Sequence, residues 1–272
     1  MSSSRNVIEH NRKAWDELAR RKQRFTQAAK DEEFANPLAI LDGSGWLGKN
    51  IAGKRLLCLA AGGGRQGPLY AATGAIVTVV DVSAAQLELD REVATARRLE
   101  LKTVQTSMDD LSMFQQGEFD IVIHPVSTCY VDNVGPLYEH VARVTRPGGI
   151  YVSQHKQPTS MQASVAASPN GYELTEPYYR SGPLPPVRGS LHREEGTLEY
   201  VHRWEQLIGL MCRAGFALED LTEPVHAEPL AQPGTFAHRS NFVAPYVRVK
   251  ARRSAESAQE SEQTTKMWLP DG

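Results

Sequence analysis

The stretch LLCLAAGGGRQGPLYAATGAIVTVVD, residues 56–81, decides the fold. RLLCLA (55–60) is a short apolar run that stops at a string of small residues, the pattern of a parallel strand buried on both faces. AIVTVVD (75–81) is a second run of this kind, rich in β-branched residues. Between them, Gln66 to Thr73 has the length of a short helix. Strand, glycine-rich turn, helix and strand in this order make one βαβ crossover, so the two strands run parallel.

Working outward, the alternation continues on the C-terminal side. Ala84 to Leu99 reads as a helix with Leu87, Val93, Ala94 and Leu99 on its inner stripe. TVQT (103–106) and FDIVIHPV (119–126) read as strands, and Leu137, Val141 and Val144 mark a helix that Pro147-Gly148-Gly149 should stop. IYVSQH (150–155) is the next strand. On the N-terminal side, residues 5–25 carry Val7, Ile8, Ala14, Trp15 and Leu18 at helical spacing, and 26–50 read as a connecting segment. Residues 156–202, with PYYRSGPLPPVRGS at 177–190, are rich in Pro, Ser, Gly and Tyr and read as a loop-rich insertion. WEQLIGLMCRAGF (204–216) restores a helix, and FALEDLTE (216–223) and NFVAPYVRVKA (241–251) read as closing strands. The expected organisation is therefore a helical cap and linker (1–50), a ligand-binding α/β core (51–155), the insertion (156–202), and a C-terminal helix with closing strands of the same domain (203–252). The tail 253–272 is low in apolar residues and is expected to be disordered.

Composition narrows the function classes. The chain has 272 residues and a formal net charge of −2, which argues against a nucleic-acid partner because phosphate neutralisation needs a basic surface. Arg20, Arg21, Lys22 and Arg24 lie close together and read as a solvated helix face. Three cysteines without a CxxC pair point to free thiols in a reducing compartment. The first residues lack the apolar centre of a signal peptide, and no apolar run approaches the ~20 residues of a membrane span. A cytoplasmic monomer or homodimer without membrane contact is the expectation. Eight histidines are scattered without HxxxH spacing, so no metal is expected, and no GxSxG supports hydrolysis.

The glycine loop carries the binding signal. Ala60, Ala61, Gly62, Gly63 and Gly64 let a ligand press on bare backbone at a helix N-terminus, where free N–H groups attract negative charge. Asp81 closes the second strand, 19 residues after Gly62, and is placed to accept hydrogen bonds from a ribose diol. Gly62, Gly64 and Gly67 also satisfy GxGxxG, so a nicotinamide nucleotide is a rival ligand. Two features favour S-adenosylmethionine: the Pro-Gly-Gly link in RVTRPGGIYV (143–152), and closing elements that do not form a second nucleotide-binding half.

On these motifs the chain resembles the class I S-adenosylmethionine-dependent methyltransferases, and within them a bacterial group whose loop reads CLASGGGQQ and whose fourth strand ends in HPVS. Here those are CLAAGGGRQ (58–66) and HPVS (124–127). The resemblance implies a Rossmann-like, seven-stranded, mostly parallel sheet with helices on both faces and the last strand antiparallel. It implies S-adenosyl-L-methionine as cofactor and S-adenosyl-L-homocysteine as product. The expected cofactor site comprises Ala60, Ala61, Gly62, Gly63, Gly64, Gln66, Asp81, Val82, Ser107, Met108, Asp109, His124 and Pro125. Two departures stand out: Cys58 replaces the common acid of the first strand, and Ala60 the first glycine of the trio.

The acceptor is expected to be a small molecule, bound beneath the insertion, and methyl transfer an in-line displacement needing alignment and a dry pocket. His124 is the leading catalytic candidate, beside the reading of a structural histidine bonded to backbone; His155 is the second. Trp15, Ser127, Tyr130, Tyr178 and Tyr179 are the substrate-side candidates. The rival functions are an NAD(P)-dependent oxidoreductase, for which no Tyr-x-x-x-Lys pair follows the fourth strand, and a non-catalytic S-adenosylmethionine-binding protein.

Overall fold

Each apolar run becomes a strand, and all of them pair into one sheet. The computed structural model describes residues 2–23, 25–190 and 192–255; Arg24 and the tail from 256 to 272 lie outside the described residues. Helix α1 (Ser2–Arg20) leads the chain. A 3-10 turn (Asp31–Ala35) and α2 (Pro37–Leu41) follow, inside what the sequence showed only as a connection. Then come β1 (Arg55–Leu59), α3 (Gln66–Ala72), β2 (Ile76–Asp81), α4 (Ala84–Arg97), β3 (Leu101–Gln105), β4 (Phe119–His124), α5 (Gly135–Val144) and β5 (Thr145–Lys156). The chain closes with α6 (Pro158–Gln162), a π turn (Glu205–Gly209) running into α7 (Leu210–Arg213), β6 (Phe216–Thr222), α8 (Phe236–Arg239) and β7 (Tyr246–Arg253).

The seven strands order as β3-β2-β1-β4-β5-β7-β6. Only the pairs made by β7, with β5 and with β6, are antiparallel. Period-2 alternation sends successive side chains to opposite faces and builds two cores. Leu57, Leu59, Val80, Val122 and Tyr151 pack on one side with α5, while Leu56, Cys58, Val77, Val79, Ile121 and Ile123 pack on the other with Tyr70 and Leu87. The strand order reverses between β1 and β4, which leaves a crevice at their carboxyl ends.

One expectation changes. Helix α5 ends at Val144, before the Pro-Gly-Gly, because Thr145 is already extended (φ −81°, ψ 127°) and its hydroxyl donates to Val141 O at 2.6 Å. Pro147, Gly148 and Gly149 lie within β5 and form an irregularity: Phe119 pairs with Thr145, but Ile121 pairs with Ile150. A Cβ on Gly149 would meet Thr145 Cγ2 at 2.7 Å and Arg146 O at 2.8 Å, so the strand can double back only at glycine.

The 156–202 segment has little regular structure beyond α6 and is held by buried charge. The Arg239 guanidinium, 1% exposed, donates to the carbonyls of Ser160, Ala163 and Ser164 and to Ser160 Oγ. Lys156 Nζ bonds Glu194 Oε2 at 2.6 Å and also reaches Glu199, which pairs with Arg193. Two cations and two carboxylates balance one another there, as buried charges must.

The crossover also depends on close contact between α3 and β2. A Cβ on Gly67 would sit 2.5 Å from Val79 Cγ2 and 3.1 Å from Asp90 Oδ1. Gly67→Ala is expected to destabilise the fold by about 1–3 kcal/mol through overpacking. Gly182→Ala, with nothing within 4 Å, should stay within about 0.5 kcal/mol of wild type. Denaturant titration of both variants tests this; equal stabilities would remove the packing argument.

Candidate active site

The bend after β1 is the centre of the site. Ala60 (φ 49°), Gly63 (φ 122°) and Gly64 (φ 75°) all have positive φ. Ala60 holds a left-handed conformation that costs roughly 1 kcal/mol in an L-residue with a Cβ. The bend is fixed from β2 and α4. Gly62 N–H donates to Asp81 Oδ2 at 3.0 Å, and Ser83 N–H donates to Asp81 Oδ1 at 2.9 Å. Gly63 N–H donates to Asp90 Oδ2 at 3.0 Å and to Gln86 O at 3.1 Å. No side chain fits inside: a Cβ on Gly62 would stand 2.7 Å from Gln86 Cβ, and one on Gly64 2.9 Å from Leu89 O.

The start of α4 is equally constrained. Ser83 caps it by accepting from Gln86 N–H at 3.1 Å, and its hydroxyl donates to Asp16 Oδ1 of α1 at 2.6 Å. The S-x-x-Q spacing of Ser83 and Gln86 signals such a helix start. It does not signal that Gln86 turns towards the glycine bend. Asp90 was missed for the same reason: only packing brings the second turn of α4 behind the loop.

In front of the bend lies one cavity of about 860 Å³. Among the expected cofactor residues, Ala60, Ala61, Gly62, Gly63, Gln66, Asp81 and Val82 line it, as do Ser107, Met108, His124 and Pro125. Of the substrate-side candidates, Trp15, Ser127 and Tyr130 line it, with Trp15 and Tyr130 edge to face at 5.4 Å. Four expected residues and His155 do not line this cavity. Gly64 packs against α4, its carbonyl accepting from Ala29 N–H at 3.0 Å, and Asp109 lies in the turn after β3. Tyr178 and Tyr179 meet edge to face at 5.3 Å away from the cavity, and Tyr179 is 78% exposed. The insertion turns these two rings towards Trp204 and Arg203.

The two histidines differ in position but share a charge state. His124 is buried at the cavity wall, with Nδ1 2.8 Å from Tyr151 Oη and Nε2 2.6 Å from Ser127 Oγ. His155 sits behind the wall, bonded to Thr128 Oγ1 at 3.0 Å and Ser153 Oγ at 2.8 Å. Burial lowers both imidazoles to about 3, so both are neutral at physiological pH. Their partners are side-chain hydroxyls, whereas the structural reading of His124 from sequence suggested backbone. Acidic groups shift the other way: burial pushes Asp81 up to about 6 and Asp90 up to about 7 against the N–H groups they accept from.

The cavity wall also includes Gln86, Gln154, Glu194 and Arg248, none of which the sequence pointed to. Glu194 accepts from Tyr130 Oη and Lys156 Nζ, both at 2.6 Å. Although burial opposes its charge, Lys156 and these hydrogen bonds keep its pKa below the usual value. Among the described residues, no group of three or more His, Cys, Asp or Glu side chains is placed to hold a metal, and no helix is long and apolar enough to cross a membrane.

A sheet of this strand order, with a bare glycine bend facing an acid at the end of β2, defines the class I S-adenosylmethionine-dependent methyltransferase fold. Residues 57–153 match the family described as methyltransferase domain. The chain is 34% identical over 233 residues to an "uncharacterized methyltransferase YbaJ" of Bacillus subtilis (strain 168), covering 80% of this chain and 90% of the relative. A "ubiquinone biosynthesis O-methyltransferase" of Aromatoleum aromaticum is 31% identical over 137 residues, 50% of this chain and 57% of that protein. Among solved structures, an S-adenosylmethionine dependent methyltransferase from Mesorhizobium loti superposes with a TM-score of 0.61 at 20% identity, covering 81% of this chain and all (100%) of the other. The chain belongs to the S-adenosylmethionine-dependent methyltransferase family.

The raised Asp90 carboxyl gives a test of the loop's support. Its folded value of about 7 lies above the unfolded value of roughly 3.9, so the native state binds more protons between the two and stability falls as pH rises through that window. Asp90→Asn removes this loss, so its stability relative to wild type should rise between pH 5 and pH 8, by up to a few kcal/mol. Urea unfolding of the ligand-free proteins at both pH values measures it. A gap that stays constant would mean Asp90 is not titrating there.

Proposed function

We propose that the protein methylates a small-molecule acceptor held in the 860 Å³ cavity, with S-adenosylmethionine lying across the glycine bend. The observation that carries this reading is the side-chain-free glycine bend on the cavity wall, with the Asp81 carboxylate beside it. Gln66 and Gln86 both line the cavity beside the bend, and the buried Oε1 of each lacks a hydrogen-bond partner. Buried polar atoms of this kind call for a donor. A carboxylate has about four lone-pair sites, so Asp81 can hold its two N–H groups and still accept from hydroxyls. An aminoacyl nucleoside with an ammonium and a ribose diol fits this donor demand.

S-adenosylmethionine supplies a methyl group on a sulfonium, already activated for attack. The residues of this chain supply position and dryness. The glycine bend brings peptide groups directly against the ligand, Asp81 takes the ribose, and Gln66 and Gln86 take donors at the other end. Ser107 and Met108 border the base, while His124 and Pro125 stand at the mouth of β4. His124 stays neutral above about pH 5 and acts by fixing the Ser127 hydroxyl at the wall, not by taking a proton. No strong base is required for an acceptor that presents a lone pair. A low-molecular-weight acceptor is favoured because the cavity lies within the fold and the formal net charge is −2. The similarity to the Bacillus protein over 80% of this chain supports membership of the narrower bacterial group with CLASGGGQQ-like and HPVS motifs, and three free thiols suit a cytoplasmic location.

Calorimetric titration with S-adenosylhomocysteine, NADH and NADPH in parallel tests the cofactor assignment. Micromolar-range binding of the first alone is expected. Asp81→Ala should weaken that binding by about 1–3 kcal/mol, the worth of hydrogen bonds to a charged group. Undiminished affinity in the variant, or preference for a pyridine nucleotide, would overturn the reading.

A further inference from the structure

Of the Lys and Arg side chains that line the cavity among the described residues, two are paired with carboxylates and one is not. Glu33 pairs with Arg65 at 2.5 Å, and Lys30 lies 3.9 Å from Glu32. Asp42 accepts from the N–H groups of Trp46 and Leu47, and Glu194 is neutralised by Lys156. Arg248 has no carboxylate within salt-bridge distance among the described residues. Its Nε donates to the neutral amide oxygen of Gln154 at 2.8 Å, and no further bond of its side chain is present among them. The register of β5 and β7 sets Gln154 opposite Arg248. Alternation along β7 places Tyr246 two residues away on the same face. Tyr246 belongs to an aromatic wall: its ring centroid is 5.6 Å from His226 and 6.3 Å from Phe236, and all three residues line the cavity.

We infer that this end of the cavity is the acceptor subsite, and that the acceptor is a flat, unsaturated small molecule carrying one carboxylate. The inference rests on the cofactor reading above. With Nε tied to Gln154, the guanidinium keeps its two terminal nitrogens, the pair that matches a carboxylate in a two-point contact. A single unpaired cation suits one carboxylate better than a diphosphate, which carries more charge than Arg248 balances. The ring wall accounts for the flat body, since edge and face contacts between rings add to burial. Gln154 holds the arginine to the sheet without neutralising it, so the charge is kept for the ligand.

The test is calorimetry on the full chain saturated with S-adenosylhomocysteine, using 4-hydroxybenzoate and 4-hydroxycinnamate against their neutral primary amides. At least one carboxylate should bind ~10-fold or more tighter than its amide, the usual scale for a charge-assisted pair. In Arg248→Gln that preference should fall below about twofold while S-adenosylhomocysteine affinity is retained, and Arg248→Lys should restore part of it. Equal binding of acid and amide, binding of neither, or a preference that survives in Arg248→Gln would each overturn the proposal. Failure of S-adenosylhomocysteine itself to bind would instead count against the cofactor reading, so the two failures are separable.

Discussion

The architecture depends on a backbone turn with no room for side chains, clamped from behind. β1 ends at the centre of the sheet, and the chain must reverse into α3 within a few residues. Gly62, Gly63 and Gly64 allow this because Gln86, Asp81 and Leu89 occupy the space where their Cβ atoms would be. The same crowding that excludes side chains leaves bare peptide groups on the cavity wall at this bend. Ala60, left-handed despite its Cβ, shows that the bend is imposed by its surroundings rather than by glycine alone.

The clamp is electrostatically costly, and that cost is informative. Asp81 and Asp90 are carboxyls held where burial disfavours their charge, and Gln66 and Gln86 keep acceptor oxygens without donors. A protein interior normally satisfies such groups. Their concentration around one bend supports the proposed cofactor site. Opposite, the histidines are held neutral in a hydroxyl-lined wall, which suits a reaction whose electrophile arrives with the cofactor and whose protein partner chiefly aligns.

Much of the core was legible from residue order. The runs at 55–60, 75–81 and 119–126 gave parallel strands because short, predominantly apolar segments fit a sheet covered on both faces. Asp81 and the loop residues were placed by their offset from those strands. The boundaries shifted where local chemistry competed. Thr145 turned the chain into β5 early by bonding back to Val141, and Pro147 to Gly149 became an irregular segment of a strand instead of a stop signal. Tyr178 and Tyr179 drew attention as aromatics in a loop, yet composition says nothing about the direction in which a loop faces.

The sequence by itself determined the class of fold, the crossover at 55–81, the glycine bend and the acid opposite it, because each is a local pattern repeated over short distances. Only the tertiary structure decided which side chains share the cavity. Gln86, Glu194 and Arg248 come from α4, the insertion and β7, and their roles depend on contacts between distant segments, such as Arg248 with Gln154, 94 residues apart. Charge balance is a property of such contacts: Glu194 and Arg248 look alike as isolated letters, but one is neutralised by Lys156 and the other is left with an uncompensated charge beside the ring wall.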